Sequence, residues 1–467
     1  MIPAALVYLG IMLAVICLWF LLFKRPIYEG VIISFLILVI ITGVRGEIGA
    51  TFGEVLGNTG GFFTDALKTS LLYSMVAFVA MSQILTKTKI IDKCVMIIIA
   101  FLGRVPGGAG YASIVASSFM GSLSGSGPGN VMATGSITIP AMKKTGFPPE
   151  LAANVESASS YLGNMIPPSA NIVAALGAYA AFAAANGYPE VSTGQFWVVC
   201  WGLSLWFILS RMVQLFVFCK VYKIKPMDKK DIPSIGKALK EGWSGLLLPV
   251  VILAPFIFDS IFNSTFITDR LGAAGAKGFS SALLIFVAGI AVLYGVLVAK
   301  NKKDVSLGNM IATFSKGVKG LAPIVATCIF GYTIGALFEH INAGEQLNVL
   351  FDSLNIGVVG LAFVIPLLTC FITMVIPGSS VVAMFGTVFI GLFASAGVDP
   401  LLVAAMLPCM CGVMCGITPP FALGMYAGMS IAESDFDKTL KNDLWWVAVQ
   451  YIMEVIILLG VLPVIGL

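Results

Sequence analysis

Charge is what this sequence has least of. Aspartate, glutamate, lysine and arginine make up 11% of its 467 residues, about half the share of an ordinary soluble domain. No acidic or basic residue occurs between Arg104 and Lys143, nor between Asp352 and Asp399. Histidine occurs once, as His340 beside Glu339 at an expected helix end, and reads as interfacial rather than catalytic. No G-x-x-x-x-G-K-[ST] stretch is present, which argues against an ATP-driven pump. No paired aspartates, Ser–His set or metal constellation converges, which argues against an intramembrane protease. Cysteines number nine and are scattered through apolar segments. The group Cys409, Cys411 and Cys415 has no histidine or carboxylate near it in sequence and reads as small buried residues, not metal ligands. Neither a transition metal nor an organic cofactor is expected, and the chain is not expected to be an enzyme. The net charge of +4 needs no nucleic acid to explain it.

What is abundant is apolar sequence, at 58% of the chain. Runs of about eighteen or more apolar residues recur from end to end, the mark of membrane-spanning helices. In hydrocarbon every backbone N–H and C=O must bond within the protein, and the composition of these runs suits helices rather than barrel strands. Spans are expected near 3–23, 29–44, 66–86, 150–185, 195–219, 243–262, 279–299, 308–338, 400–432 and 440–465. The first run, Ile2 to Phe23, has no basic residue before it and no clear small-residue cleavage site. It reads as a span, not a cleaved leader. All but Arg45, Lys68, Arg270 and Lys277 of the 27 lysines and arginines then fall on one side. That bias fixes the cytoplasmic face, which receives Arg211 among others, and puts both termini outside.

Two uncharged apolar pairs remain, 107–142 and 356–396, and each must return to the side it entered from. The first turns at GSLSGSGPGN, 121–130, with seven of its ten positions Gly or Ser. The second turns at VIPGSSV, 375–381. Each pair is followed by a long span interrupted by proline, at YLGNMIPPSAN (161–171) and at CGITPPFALG (415–424). The order recurs in the two halves with opposite orientation, on either side of a polar segment, 220–242, read as a cytoplasmic amphipathic linker. The domains are thus 1–219 with hairpin 107–142 and broken helix 150–185, and 243–467 with hairpin 356–396 and broken helix 400–432. The fold class is an all-α polytopic membrane protein with two inverted repeats, each carrying a re-entrant hairpin and a proline-broken span. Inverted repeats with discontinuous helices are how many secondary transporters build a site near the midplane.

A Gly/Ser tip in mid-membrane leaves backbone groups unpaired, which is tolerable only where protein, ion or water replaces the lost bonds. Proline removes a donor and frees carbonyls in the preceding turn. Tip and break both therefore offer neutral oxygens, a set suited to a weakly held monovalent cation such as Na⁺. Half-helix N-termini beside them would attract an anion. The candidates are Ser122, Ser124, Gly125, Ser126 and Asn130, facing Gly163, Asn164, Ile166, Pro167 and Ser169. In the second half they are Gly378, Ser379 and Ser380, facing Gly416, Thr418 and Pro419. Asn130, Asn164 and Asn171 are costly in lipid and are expected to line a polar cavity. The blander reading of each glycine or serine alone is close helix packing; two tip-and-break pairs favour ion sites. Glu156 is either a site residue or, one turn into its span, a side chain snorkelling to the cytoplasmic edge, and it stays outside the candidate set.

At these residues the sequence resembles the large membrane subunit of tripartite ATP-independent periplasmic (TRAP) transporters. Residues 104–169 carry R-x-P-G-G, the S-G-S tip, G-S-x-x-I-P, K-x-G-[YF] and I-P-P-S in that order, and I-T-P-P at 417–420 and MSIAESDF at 429–436 continue it. The likeness runs from about residue 5 to the end. It implies an elevator-like mechanism, with a mobile domain carrying both hairpins. It implies one sodium site at Ser124, Ser126, Gly163, Ile166 and Pro167 and a second at Gly378, Ser379, Gly416 and Thr418. A substrate cavity would then involve Gly125, Asn130, Asn164, Ser169, Ser380 and Pro419. The implied partners are a small four-helix membrane subunit, a periplasmic substrate-binding protein and an organic acid substrate, in a bacterial or archaeal inner membrane. The chain departs from the family in two places: many relatives carry an aspartate at the second tip, where this one reads P-G-S-S, and a glycine where this one has Cys415. The expected function is sodium-driven uptake of an organic acid anion; the alternative is a stand-alone ion-coupled carrier or cation/proton antiporter of similar fold.

Overall fold

The computed structural model describes residues 4–45, 87–124, 127–299, 305–341, 357–374, 378–419 and 422–467, with isolated positions from 63 to 85 and at 301 and 346. The expected span 66–86 and the amphipathic piece at 345–353 therefore lie largely outside the described residues. Among the described residues every regular element is helical.

The chain opens with α1 (Ala4–Cys17), a π-helical turn (Leu18–Leu22) and α2 (Ile27–Val44). Next come α3 (Ile90–Leu102), a pair formed by α4 (Gly108–Ser124) and α5 (Gly127–Lys144), and α6 (Pro149–Leu162). After a break come α7 (Ala170–Asn186), α8 (Thr193–Val221), α9 (Ile235–Phe262), α10 (Thr268–Val298) and α11 (Leu307–His340). A second pair, α12 (Val358–Thr373) and α13 (Gly378–Ser395), precedes α14 (Pro400–Leu407), a π-helical segment (Pro408–Val413) and α15 (Met414–Ile417). The chain then runs through α16 (Leu423–Ala432) and ends in α17 (Phe436–Leu458). Among the described residues six helical stretches are long and apolar enough to cross a membrane: Pro149–Asn186, Thr193–Val221, Ile235–Asp259, Gly278–Val298, Gly378–Ser395 and Pro400–Ile417.

Local chemistry fixes many of the ends. Ser192 and Gln195 close a capping box at the start of α8, and Asp399 and Asp435 accept from backbone N–H groups at the starts of α14 and α17. Lys143 and Lys144 close α5, where cations complement the helix dipole. The polar segment 220–242 divides between the end of α8, an irregular connection and the first turns of α9, so the amphipathic start and the span that follows form one helix.

Packing places the helix pairs and the broken helices together. The pair α4–α5 packs on α6, and α5 also lies along α16. The arm α13 packs on α7 and α14. Each pair thus touches the interrupted helix of its own half and the far limb of the other. Large apolar side chains of α8, among them Leu205, Leu209, Val213 and Phe216, are exposed. Such a surface on a helix of spanning length is one that lipid or another membrane helix covers. Arg211, on the same helix, is fully buried, so it belongs to the interior and not to the set of cytoplasmic surface cations.

Candidate functional site

Both interruptions are set by proline. Steric conflict with a proline ring disfavours the α region for the preceding residue. Ile166 before Pro167 is accordingly extended (φ −98°, ψ 123°), and Thr418 before Pro419 matches it (φ −100°, ψ 114°). In the first break α6 gives way to a single 3₁₀ turn, Gly163–Met165. Ser169 then restarts α7, its hydroxyl accepting from the Ile172 N–H at 3.3 Å and donating to the Asn164 carbonyl at 2.5 Å. Residues 163–169 are all buried. In the second break Pro408 opens a π-helical segment, α15 ends at Ile417, and the Thr418 hydroxyl donates back to the Met414 carbonyl at 2.7 Å.

Each hairpin tip rests on the backbone of its own break. At Gly121 a Cβ would fall within contact distance of the Ser160 carbonyl oxygen and of Gly163. The Ser118 hydroxyl donates to the Ser159 carbonyl at 3.2 Å. Gly378, the first residue of α13, lies so close to the Cys411 carbonyl and the Gly412 Cα that no side chain fits between them. Glycine is required at both positions by this backbone-to-backbone approach. Asn130, one turn into α5, is buried and donates through Nδ2 to the Ser117 carbonyl at 2.8 Å, bracing the two arms of the first hairpin.

The two breaks also meet each other. Asn164 Nδ2 donates to the Gly412 carbonyl at 2.7 Å, and Gly412 faces the side chains of Asn164 and Asn171. Asn171 Oδ1 is a buried acceptor without a hydrogen-bond partner. The fully buried ring of Tyr161 lies against Gly127, Gly416 and Gly424, where any Cβ would collide with it. One aromatic side chain of the first broken helix thus touches the first tip and both sides of the second break. Asn164→Ala leaves the Gly412 carbonyl with only the weak Cys415 thiol donor, at 3.2 Å. We expect a loss of about 1–3 kcal/mol of stability, the usual cost when a buried polar group loses its main partner, read by thermal unfolding of the purified protein.

Behind the first tip lies a carboxylate. Glu156 is fully buried, and five hydroxyls donate to it. Ser117, Thr134 and Ser160 reach Oε1 at 2.7, 2.5 and 3.0 Å; Ser113 and Thr138 reach Oε2 at 2.6 and 2.5 Å. The donors come from α4, α5 and α6, so this one side chain locks both hairpin arms to the helix that leads into the break. The snorkelling reading of Glu156 is therefore wrong: its carboxylate points into the protein, where hydroxyl dipoles replace water. A sequence signal existed. Ser113 and Ser117, Thr134 and Thr138, and Glu156 and Ser160 are three i, i+4 polar pairs, each on one helical face.

Of the expected site residues, Gly163, Asn164, Ile166, Pro167 and Ser169 sit together in the first break, and Gly378, Ser379, Ser380, Gly416, Thr418 and Pro419 at the second tip and break. The hydroxyls of Ser169 and Thr418 are engaged with backbone as described, and Ser379 is half-buried. Gly125 and Ser126 lie outside the described residues, as do the side chains of Ser122 and Ser124. Sequence reasoning missed Tyr161 and left Glu156 outside the candidate set; Asp259, Asp443 and Glu454 are also buried.

The family model for the DctM component of tripartite ATP-independent periplasmic transporters matches residues 15–465. The chain belongs to this family. It is a large permease subunit of a TRAP transporter, a polytopic membrane protein and not an enzyme. Among curated proteins it is 26% identical over 367 residues to the C4-dicarboxylate TRAP transporter large permease protein DctM of Pseudomonas aeruginosa, covering 77% of each chain. It is 23% identical over 379 residues to the sialic acid TRAP transporter large permease protein SiaM of Vibrio cholerae, covering 80% of each. Among solved structures the Alcanivorax borkumensis YdaH transporter superposes with a TM-score of 0.63 at 17% identity, over 92% of this chain and 96% of that one. Neisseria gonorrhoeae MtrF superposes with a TM-score of 0.62 at 14% identity, over 91% and 83%. These two likenesses establish a transporter fold.

Proposed function

We propose that this TRAP permease subunit drives uptake of an organic acid anion with the sodium gradient. In this reading Na⁺ is held where each hairpin tip meets its break, by Ser124, Ser126, Gly163, Ile166 and Pro167 in the first half and Gly378, Ser379, Gly416 and Thr418 in the second. The substrate anion enters beside them, near Gly125, Asn130, Asn164, Ser169, Ser380 and Pro419. One observation carries the proposal: both tips lie against proline-made breaks whose walls are backbone carbonyls, hydroxyls and amides, with no formal charge among the site residues. Neutral oxygens in that arrangement suit a monovalent cation that must be released as readily as it is bound. The names of the relatives, which include C4-dicarboxylate and sialic acid permeases, support an acid anion as the cargo class.

The reciprocal packing of α5 on α16 and of α13 on α7 supports two inverted repeats that move together, elevator-fashion, against the remaining helices. The subunit then works in the inner membrane with both termini outside, beside a small four-helix membrane subunit and with a periplasmic binding protein that delivers the substrate. The test is uptake of candidate acids into proteoliposomes holding both membrane subunits, with the binding protein added and an inward sodium gradient imposed. Accumulation that needs both the gradient and the binding protein is the expected result. Full-rate uptake by this chain alone, or uptake indifferent to sodium, would overturn the reading. Ser126→Ala and Ser379→Ala are each expected to raise the sodium concentration for half-maximal uptake roughly tenfold, the equivalent of about 1.4 kcal/mol of lost ligation. Unchanged sodium titrations in both would remove these residues from the sites.

A further inference from the structure

The last helix carries a polar cluster that the sodium reading does not use. Asp443, Trp446, Gln450 and Glu454 recur at three- and four-residue intervals along α17, on one face, and all four are buried. Arg211 reaches this face from α8. Its Nη1 donates to the Trp446 carbonyl at 3.1 Å and its Nη2 to Gln450 Oε1 at 2.7 Å. Gln450 Nε2 donates onward to Glu454 Oε1 at 2.9 Å and to Cys409 Sγ at 2.7 Å. Cys409 Sγ lies 3.4 Å from the same carboxylate oxygen. Cys409 belongs to the π-helical segment of the second break, so the cluster adjoins the transport machinery.

The charges do not balance. Arg211 is one cation, and Asp443 and Glu454, both within its electrostatic reach, are two acids. The other titratable groups near Glu454 are Cys370 on α12, Cys409 and Cys411 on the π-helical segment, and Tyr451 on α17 itself, none of which brings positive charge. From α6 the neighbour is Asn154, which donates to the Thr439 carbonyl. Glu150, Lys438 and Lys441 stand around the groove at the start of α17, and Tyr426 of α16 stacks on Phe436 there. With both carboxyls ionised the interior would hold an excess negative charge, which burial away from water disfavours. Open acceptors are present to receive a compensating cation: both Asp443 oxygens and Glu454 Oε2 are buried and have no hydrogen-bond partner. The two acids are eleven positions apart, about 16 Å of helical rise, so no single metal ion bridges them. Thiols, not hard oxygens, surround Glu454, which is a poor setting for Na⁺. A proton satisfies both constraints.

We propose that the Arg211–Asp443–Glu454 cluster is a binding site for one proton, carried by whichever of the two carboxylates Arg211 does not neutralise. Infrared difference spectra of the full-length protein in detergent, taken through a pH titration, test this directly. The expected result at neutral pH is a carboxylic-acid carbonyl band of about one group per chain that shifts in deuterated buffer. Asp443→Asn and Glu454→Gln, both isosteric, are each expected to abolish it, because either leaves a single carboxylate opposite Arg211. Glu156→Gln is expected to keep it, and added sodium at fixed pH to leave it unchanged. A wild type without the band, a band lost in only one of the first two variants or in neither, a band removed by Glu156→Gln, or a band removed by sodium would each overturn the proposal. The measurement needs no transport and no partner subunit, so its outcome is independent of the sodium reading.

Discussion

Glu156→Ala is expected to lower the stability of the purified permease by about 3–5 kcal/mol, because several buried hydroxyls lose their acceptor at about 1–3 kcal/mol each. Alanine takes away the acceptor of five hydroxyls at once. Some of them have a fallback acceptor within reach: the Thr134 hydroxyl lies 2.8 Å from the Asn130 carbonyl and the Thr138 hydroxyl 3.1 Å from the Thr134 carbonyl, to which each can turn its single proton. Ser117 lies 2.9 Å from the Thr134 hydroxyl, which can accept in place of the carboxylate, whereas Ser113, on α4, must find a new acceptor or remain stranded. Because the carboxylate ties α4 and α5 to α6, the first hairpin should loosen before the rest of the molecule unfolds. Glu156→Gln keeps the volume and one oxygen and is expected to cost less, about 1–3 kcal/mol. Thermal unfolding in detergent, followed by tryptophan fluorescence, reads both. A Glu156→Ala protein as stable as wild type would mean that the hydroxyl cage does not hold the hairpin.

Gly378→Ala tests the second junction in the same spirit, through sterics and not charge. Its new methyl group would meet the Cys411 carbonyl and the Gly412 backbone, and backbone cannot swing aside as a side chain can. Overpacking of this kind costs about 1–3 kcal/mol, which the tip relieves by lifting off the break. Uptake is therefore expected to fall at least roughly tenfold, with a larger loss in transport than in the amount of folded protein. Gly289→Ala is the control, since nothing lies within 4 Å of a Cβ built there. Equal activity of the two variants would show that the tip does not need to seat on the break.

These two positions also illustrate what the sequence could and could not reveal. Gly378 was legible: a Gly/Ser cluster inside an uncharged apolar segment, opposite a Pro-Pro step, has few physical explanations. Ile166 and Thr418 were legible because each precedes a Pro-Pro step and leaves the helix, whereas the single prolines Pro140, Pro249, Pro255 and Pro366 stay inside helices. Glu156 was only half legible: the i, i+4 polar pairs mark a polar face on each of three helices, but their meeting at one carboxylate exists only once those helices pack. Arg211 was misjudged because a rule about sidedness treats every cation as a surface cation, whereas this one is buried and donates to Trp446 and Gln450, 235 and 239 positions further along the chain. The contact between Asn164 and Gly412, which makes two candidate sites neighbours, spans 248 positions and has no local signature.

Equilibrium sodium binding to the purified subunit is the measurement closest to the central claim, that neutral oxygens at the two junctions hold the coupling ion. The account predicts saturable binding that is selective over potassium, with one class of sites weakened by Ser126→Ala and the other by Ser379→Ala. No saturable sodium binding, or binding that both substitutions leave untouched, would contradict it.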